Sequence, residues 1–280
     1  MQEIAERETP GAGSGQLQVI RTPDTARDRR SITVEVGGRL ENISLAEMEF
    51  YCDLFEEMFD EFDRREPNGV GDLLREHGAD YVNVTEEVWA GRTVDPGEVK
   101  ERVEERQGPV GEEKLYGFMP KALMAYEGAP LVSLGKVKGI GGTFPSLALK
   151  NLFGLIPDPL RSWWHGPGDA RLGESIVDIA RVYASYFPLY GVCEAFREAT
   201  AMSPEGEVKV EWGRYDVVKD LGFASLGGNL MNLDAVTSAI MGVDPSKVSY
   251  LTLGEEVFGP YDRVQVERAK AVSGDWIPIR

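Results

Sequence analysis

The chain has little of several things that carry chemistry elsewhere. It holds two cysteines, Cys52 and Cys193, far apart in sequence. No paired-cysteine spacing is present for a zinc site, an iron–sulfur cluster or a dithiol redox centre. It holds two histidines, His77 and His165, also far apart, which excludes a histidine-rich metal site and leaves open only a Mg²⁺ held by carboxylates. Positive charge is scarce. Thirty Lys and Arg stand against 47 Asp and Glu, a formal charge of -17, so a general nucleic-acid surface is not expected. No window approaches the unbroken apolar length of a membrane span, and the start "MQEIAERETPGAGSGQ" has no apolar core of a signal peptide, so a cytoplasmic location is expected.

What is there suits a folded domain. The 280 residues are 42% apolar and 28% charged, enough for a sizeable core. Residues 1–15 read as a flexible tail and 16–280 as a single α/β domain. Strand candidates are "QLQVIRT", "SITVEV", "DYVNV", "APLVSLGKVKG", "VKVEW" and "LGFASLGG". Helices alternate with them near 44–63, 144–153 and 173–186, in "DPGEVKERVEERQ", and in the consecutive pair "NLDAVTSAIMG" and "DPSKVSYLTLGEEVFG". The pattern implies a mixed, mostly parallel sheet with helices packed on it. In the 44–63 helix, Met48, Tyr51, Phe55, Met58 and Phe62 recur at helical spacing, with Glu56, Glu57, Asp60 and Glu61 between them. That stripe reads as a core-facing side, with a homodimer or partner interface as the alternative.

Most of the chemistry is concentrated in "GKVKGIGGTFPSLALKNLFG". Lys136 and Lys138 lie two apart on a strand and project to one face at its carboxyl end. Glycines permit a sharp turn. Thr143 is positioned to cap a following helix with Pro145 in its first turn. Thr143, Ser146 and Lys150 then form one polar stripe on that helix. Together these suggest an anion cradle built from lysines and helix N–H groups. The Walker pattern is absent, and so is a dinucleotide fingerprint, so no nucleotide, nicotinamide or flavin cofactor is expected. His165, in "RSWWHGPGD", is a candidate proton carrier near neutral pH, with Trp163 and Trp164 as walls for an organic ligand. Cys193 lies in "LYGVCEAF" and reads as a buried packing group.

The stretch "APLVSLGKVKGIGGTFPSLALKNLFG" resembles the signature of the domain of unknown function 362 family, a strand ending Pro-Lys-x-Lys-Thr-His followed by a threonine and Gly-Ala-x-Lys-Asn-Leu-x-Gly. Lys136, Lys138, Thr143, Lys150, Asn151 and Gly154 match by position. "LMNLDAVTSAIMGVDPSKVSYL" resembles a second family block and places Asp234, and "WWHGPGDARLGESIVDIARV" resembles an intermediate stretch that places His165 and Asp178. The resemblance runs from about residue 70 to 260. Gly135 stands where the family has proline, and Gly139–Ile140 where it has Thr-His. Many relatives carry a ferredoxin-like cluster domain whose ligands are not in this sequence.

The expectation is an enzyme acting on a small organic anion by proton transfer. Isomerisation, cyclisation, elimination and decarboxylation all fit, in a biosynthetic setting. Lys136, Lys138, His165 and Asp234 are the catalytic candidates. Thr143, Ser146, Lys150, Asn151 and Trp164 are the binding candidates. The alternatives are a non-catalytic binding protein for an anionic metabolite, and a subunit that docks a redox partner.

Overall fold

A computed structural model describes residues 18–21, 76–140, 144–157, 160–196, 198–202, 206–210, 213–219 and 222–272. The expected tail, the strand "SITVEV", the helix at 44–63 and Thr143 lie outside the described residues.

The chain order is β1 (Gln18–Arg21), β2 (Asp80–Asn83), α1 (Val84–Trp89), α2 (Pro96–Gln107), two 3-10 segments (Glu113–Phe118 and Lys121–Tyr126), β3 (Leu131–Lys136), β4 (Lys138–Ile140) and β5 (Phe144–Ser146). Then come α3 (Ala148–Asn151), α4 (Arg161–His165), α5 (Leu172–Ala184), β6 (Leu189–Ala195), β7 (Glu198–Met202), β8 (Val208–Val210), β9 (Gly213–Lys219), β10 (Phe223–Gly227), α6 (Leu230–Ile240), α7 (Ser249–Phe258) and α8 (Arg263–Val272). The class is α/β with mixed pairing, as the alternation implied, but the pairing is not mostly parallel: among the described residues three strand pairs are parallel and four antiparallel. β1 pairs in parallel with β2. β3 is parallel to the central β6, which is antiparallel to β10 on its other side. A second sheet has the order β5-β4-β7-β9-β8, in which only β4 and β7 are parallel.

The two larger sheets are joined by strands that leave one and enter the other. β3 passes into β4 through the single buried residue Val137, whose N–H donates to the Glu194 carbonyl at 2.9 Å. The neighbouring chain passes from β6 into β7. Register runs Lys136↔Glu194 before the break and Lys138↔Thr200 after it. Two residues of advance on one chain thus meet six on the other. The antiparallel ladder beside them shifts by one residue, from Phe223↔Ala195 to Glu198↔Lys219, and Gly222 takes a positive φ of 66° there. Extra residues of this kind bend a sheet and commonly mark its functional end.

Helices α3 and α6 pack on one face of the β10-β6-β3 sheet. Two glycines set how closely. A Cβ on Gly191 would lie 2.5–2.8 Å from Leu233, Leu230 and Ala148. One on Gly135 would lie 3.2 Å from the Leu147 backbone. Both helices therefore sit directly against backbone. α5 forms the next layer. It is buried along most of its length and contacts α7 and α2. Its Asp178 ties α5 to the preceding loop by accepting from Gly111 N–H at 2.8 Å and Arg181 at 3.3 Å. The expected strands around 80–83, 131–140, 208–210 and 223–227 are found, as are the helices at α2, α5, α6 and α7.

A second expectation is corrected. Residues 144–153 do not form a helix opened by Thr143. Phe144–Ser146 is a strand, and Pro145 faces Gly139 in an antiparallel ladder at the sheet edge. An edge strand tolerates a proline, because its missing N–H leaves no ladder bond unmade on the open side. The helix begins only at Ala148, with extended Leu147 before it. Ser146 is therefore a buried strand residue and shares no helical stripe with Lys150.

Candidate functional site

Ala148 and Leu149 open α3, and their N–H groups need acceptors. Asp234 supplies both, its Oδ1 accepting from Ala148 at 3.0 Å and its Oδ2 from Leu149 at 2.8 Å. Tyr250 donates to Oδ2 at 3.3 Å, and the Cys193 thiol lies 3.8 Å from Oδ1. Asp234 is fully buried on α6, 86 residues along the chain from Ala148. The two family blocks do meet, and what joins them is this carboxylate. The helix that forms begins later than expected, and its first N–H groups hold the protein's own anion. Burial pushes the Asp234 carboxyl up to about 7, against the pull of the Leu149, Ala148, Tyr250 and Cys193 donors. The same burial, with the charge of Asp234, raises both the Cys193 thiol and the Tyr250 hydroxyl.

Asn151, at the other end of α3, donates through its amide to Ser133 Oγ at 3.1 Å and the Leu134 carbonyl at 3.3 Å. Ser133 in turn donates to the Ala148 carbonyl at 2.6 Å. A four-residue helix has almost no stability of its own. Here it is held at its start by Asp234 and along its side by Ser133 and Asn151, which fixes where Lys150 lies.

Lys150 is 7% exposed. Burial first, and then the charge of Lys138, lower its amine to about 8, while Asp169 pulls the other way. Three residues on from Lys150, Phe153 packs edge-on to His165, with ring centroids 5.0 Å apart. His165 Nδ1 is 2.7 Å from Asp169 Oδ1. The Gly166–Gly168 turn makes this pairing, with Gly166 and Gly168 at φ of 71° and 58° and Asp169 itself at 63°. Aspartate is among the few non-glycine residues that accept that region. Lys138, Lys150, His165 and Asp169 thus make up one mixed-charge neighbourhood at the end of the β3–β4 strand.

Other candidates lie elsewhere. Lys136 pairs with Glu194 at 3.1 Å, and the second Glu194 oxygen accepts from Phe196 N–H at 3.1 Å, so this pair braces the break between the sheets. Trp164, expected as a ligand wall, is 2% exposed and lies in the core, edge-on to Phe118. Its neighbour Trp163 is the exposed ring, with the Arg171 guanidinium 4.0 Å above it and Lys114 at 5.3 Å. A helix so short turns only one of two adjacent tryptophans inward. Sequence reasoning missed Asp169 and Glu194. Asp169 had a signal in its i,i+4 spacing from His165, whereas Glu194 had none, because the β3–β6 register is a tertiary fact. A cavity of about 290 Å³ opens at the opposite end of the sheet, where Leu149, Phe187, Leu189, Asn229 and Met231 line it. Among the described residues, no group of three or more His, Cys, Asp or Glu is arranged to hold a metal, and no helix is long and apolar enough to cross a membrane.

Fold and site define an α/β domain whose central strands end in a lysine-centred cluster, braced by a buried carboxylate from a distant helix. The chain belongs to the family described as Domain of unknown function (DUF362), whose model matches residues 33–238. That match starts well before the motifs that first suggested it. A curated relative, the thylakoid-associated protein sll1697 of Synechocystis sp., is 24% identical over 130 residues, which span 45% of this chain and 37% of the relative. The matched stretch is therefore well under half the length of that protein. No solved structure matches.

Proposed function

We propose that this protein binds a small organic anion beside Lys138 and uses the Lys150 amine to move a proton in it, the chemistry of an isomerase, cyclase or lyase. The observation that carries the reading is the buried Lys150 amine, lowered to about 8 beside a second lysine. A lysine desolvated next to another cation holds a usable fraction of free amine near neutral pH, whereas an exposed lysine does not. Lys138 is exposed and supplies the attraction for a carboxylate, phosphate or enolate. The Asp169 carboxylate orients the His165 ring as a second proton carrier. Asp234 acts on this reading by fixing α3, and Lys136 by bracing the strand break. Neither touches the ligand.

The test uses acetoacetate, malonate and inorganic phosphate as probes. Binding is followed by calorimetry, and deuterium wash-in from D₂O at the carbon next to the carboxylate by proton NMR. Exchange into bound malonate or acetoacetate should rise as pH passes through about 8, where the free amine forms. Lys150→Met should abolish it, and Lys138→Met should weaken binding about tenfold, the loss of roughly one charged hydrogen bond. Protein-dependent exchange that is equal in wild type and Lys150→Met would sink the reading, as would an absence of binding to all three probes.

A further inference from the structure

The β10-β6-β3 sheet has two unequal faces. Ser133, Gly135, Gly191 and Cys193 point towards α3 and α6. Alternation sends their neighbours to the other side. There Val132 is 54% exposed, Leu134 64%, Tyr190 46% and Leu226 66%. The register puts Val132 beside Tyr190, and both Leu134 and Leu226 beside Val192, so these side chains form one continuous apolar patch across three strands. Single exposed apolar residues are ordinary on a protein surface, but a contiguous patch of this kind marks a surface that something covers.

We propose that this face is covered by residues 44–63 of the same chain, docked as an amphipathic helix. Three observations favour this occupant. Met48, Tyr51, Phe55, Met58 and Phe62 fall on one helical stripe, while Glu56, Glu57, Asp60 and Glu61 fall on the opposite side. Twenty residues of helix measure about 30 Å, long enough to cross a three-stranded sheet. The family match runs unbroken from residue 33 to 238, so the segment belongs to the same domain as the sheet. The acidic side of the helix then remains in water, in keeping with the charge of -17. The sheet is then covered on both faces, with α3 and α6 on one side and residues 44–63 on the other.

Cys52 lies at the edge of the apolar stripe and serves as a reporter, while Cys193 is sealed in the core. Val132→Cys, Leu134→Cys and Leu226→Cys each add one exposed thiol to the open face, and Glu105→Cys on α2 serves as a control. The full chain is treated with a short bismaleimide and digested, and the linked peptides are read by mass spectrometry. An intrachain link to Cys52 is expected from at least one of the three face variants and not from the control. In parallel, Phe55→Glu should uncover the patch and raise binding of a hydrophobic fluorescent dye several-fold with the fold retained by circular dichroism. Links that join two chains through the introduced cysteines would show that a second copy is the occupant and overturn the proposal. So would an absence of any link to Cys52 together with unchanged dye binding in Phe55→Glu.

Discussion

Asp234 and Lys150 sit on either side of the first turn of α3, both are buried, and both are shifted towards neutrality by that burial. Their surroundings differ completely. Asp234 is met by two backbone N–H groups, a tyrosine hydroxyl and a thiol, all of them donors. Lys150 has a second lysine as the neighbour that most affects its charge, after burial itself. A buried ionisable group surrounded by complementary partners is part of the scaffold. One held near a like charge carries a cost that stability alone does not explain, and such sites are where function is sought. The contrast predicts opposite responses to removing the two groups.

The largest effect should come from Asp234→Ala. It leaves the Ala148 and Leu149 N–H groups buried without acceptors and should cost about 2–5 kcal/mol in urea unfolding. If that variant unfolds at the wild-type midpoint, Asp234 is not the brace described above. Lys150→Met should act the other way. It removes a buried charge and keeps most of the stem, so at pH 7 it should be stabilised, by up to about 3 kcal/mol.

The pH dependence sharpens the same contrast. The folded state holds the Asp234 proton more tightly than the unfolded chain does. Its contribution is therefore greatest below the ordinary carboxylate range and is lost as pH rises to about 7. Lys150 binds its proton less tightly in the folded state, so its penalty is full below about 8 and is relieved as pH rises towards the ordinary lysine value. From these two groups the chain should be least stable between about pH 7 and 8. Lys150→Met should flatten the alkaline limb and leave the acid limb in place.

Lys136→Met should do least. Its partner Glu194 is 3.1 Å away but the lysine side chain is 35% exposed, and such pairs contribute within about 1 kcal/mol. A loss of several kcal/mol would place Lys136 with Asp234 rather than on the surface.

Much of this was legible in sequence where periodicity is strong. The amphipathic α5, the Asp95-capped α2 and the β3 strand are where patterning put them. β6 was not read as a strand, although it is the centre of its sheet. Its run Leu189–Ala195 is apolar on both faces, and a short run of that kind does not separate strand from helix. The lysines and Asp234 were legible as a set through the family blocks, but not the division of roles among them. That division depends on Asp234 reaching Ala148 and on Glu194 lying opposite Lys136, two contacts with no local signature. Thr143 and Pro145 have the look of a helix start, yet tertiary pairing with β4 draws Phe144–Ser146 into a strand.

The unequal crossing between the two sheets bears on how this chain tolerates change in length. Two residues separate β6 from β7, and the first, Phe196, takes part in no ladder pair. Slack is already stored there, so a residue gained or lost is absorbed without sliding either strand against its neighbours. On the neighbouring strands a single residue, Val137, makes the same passage from β3 to β4. An insertion beside it would reverse the alternation on one side of the junction and set Gly135, which packs bare against the Leu147 backbone, at odds with β4. Lineages of this fold should therefore vary in length at the first crossing and hold the second constant, so that the spacing between Lys136 and Lys138 stays fixed while its surroundings drift.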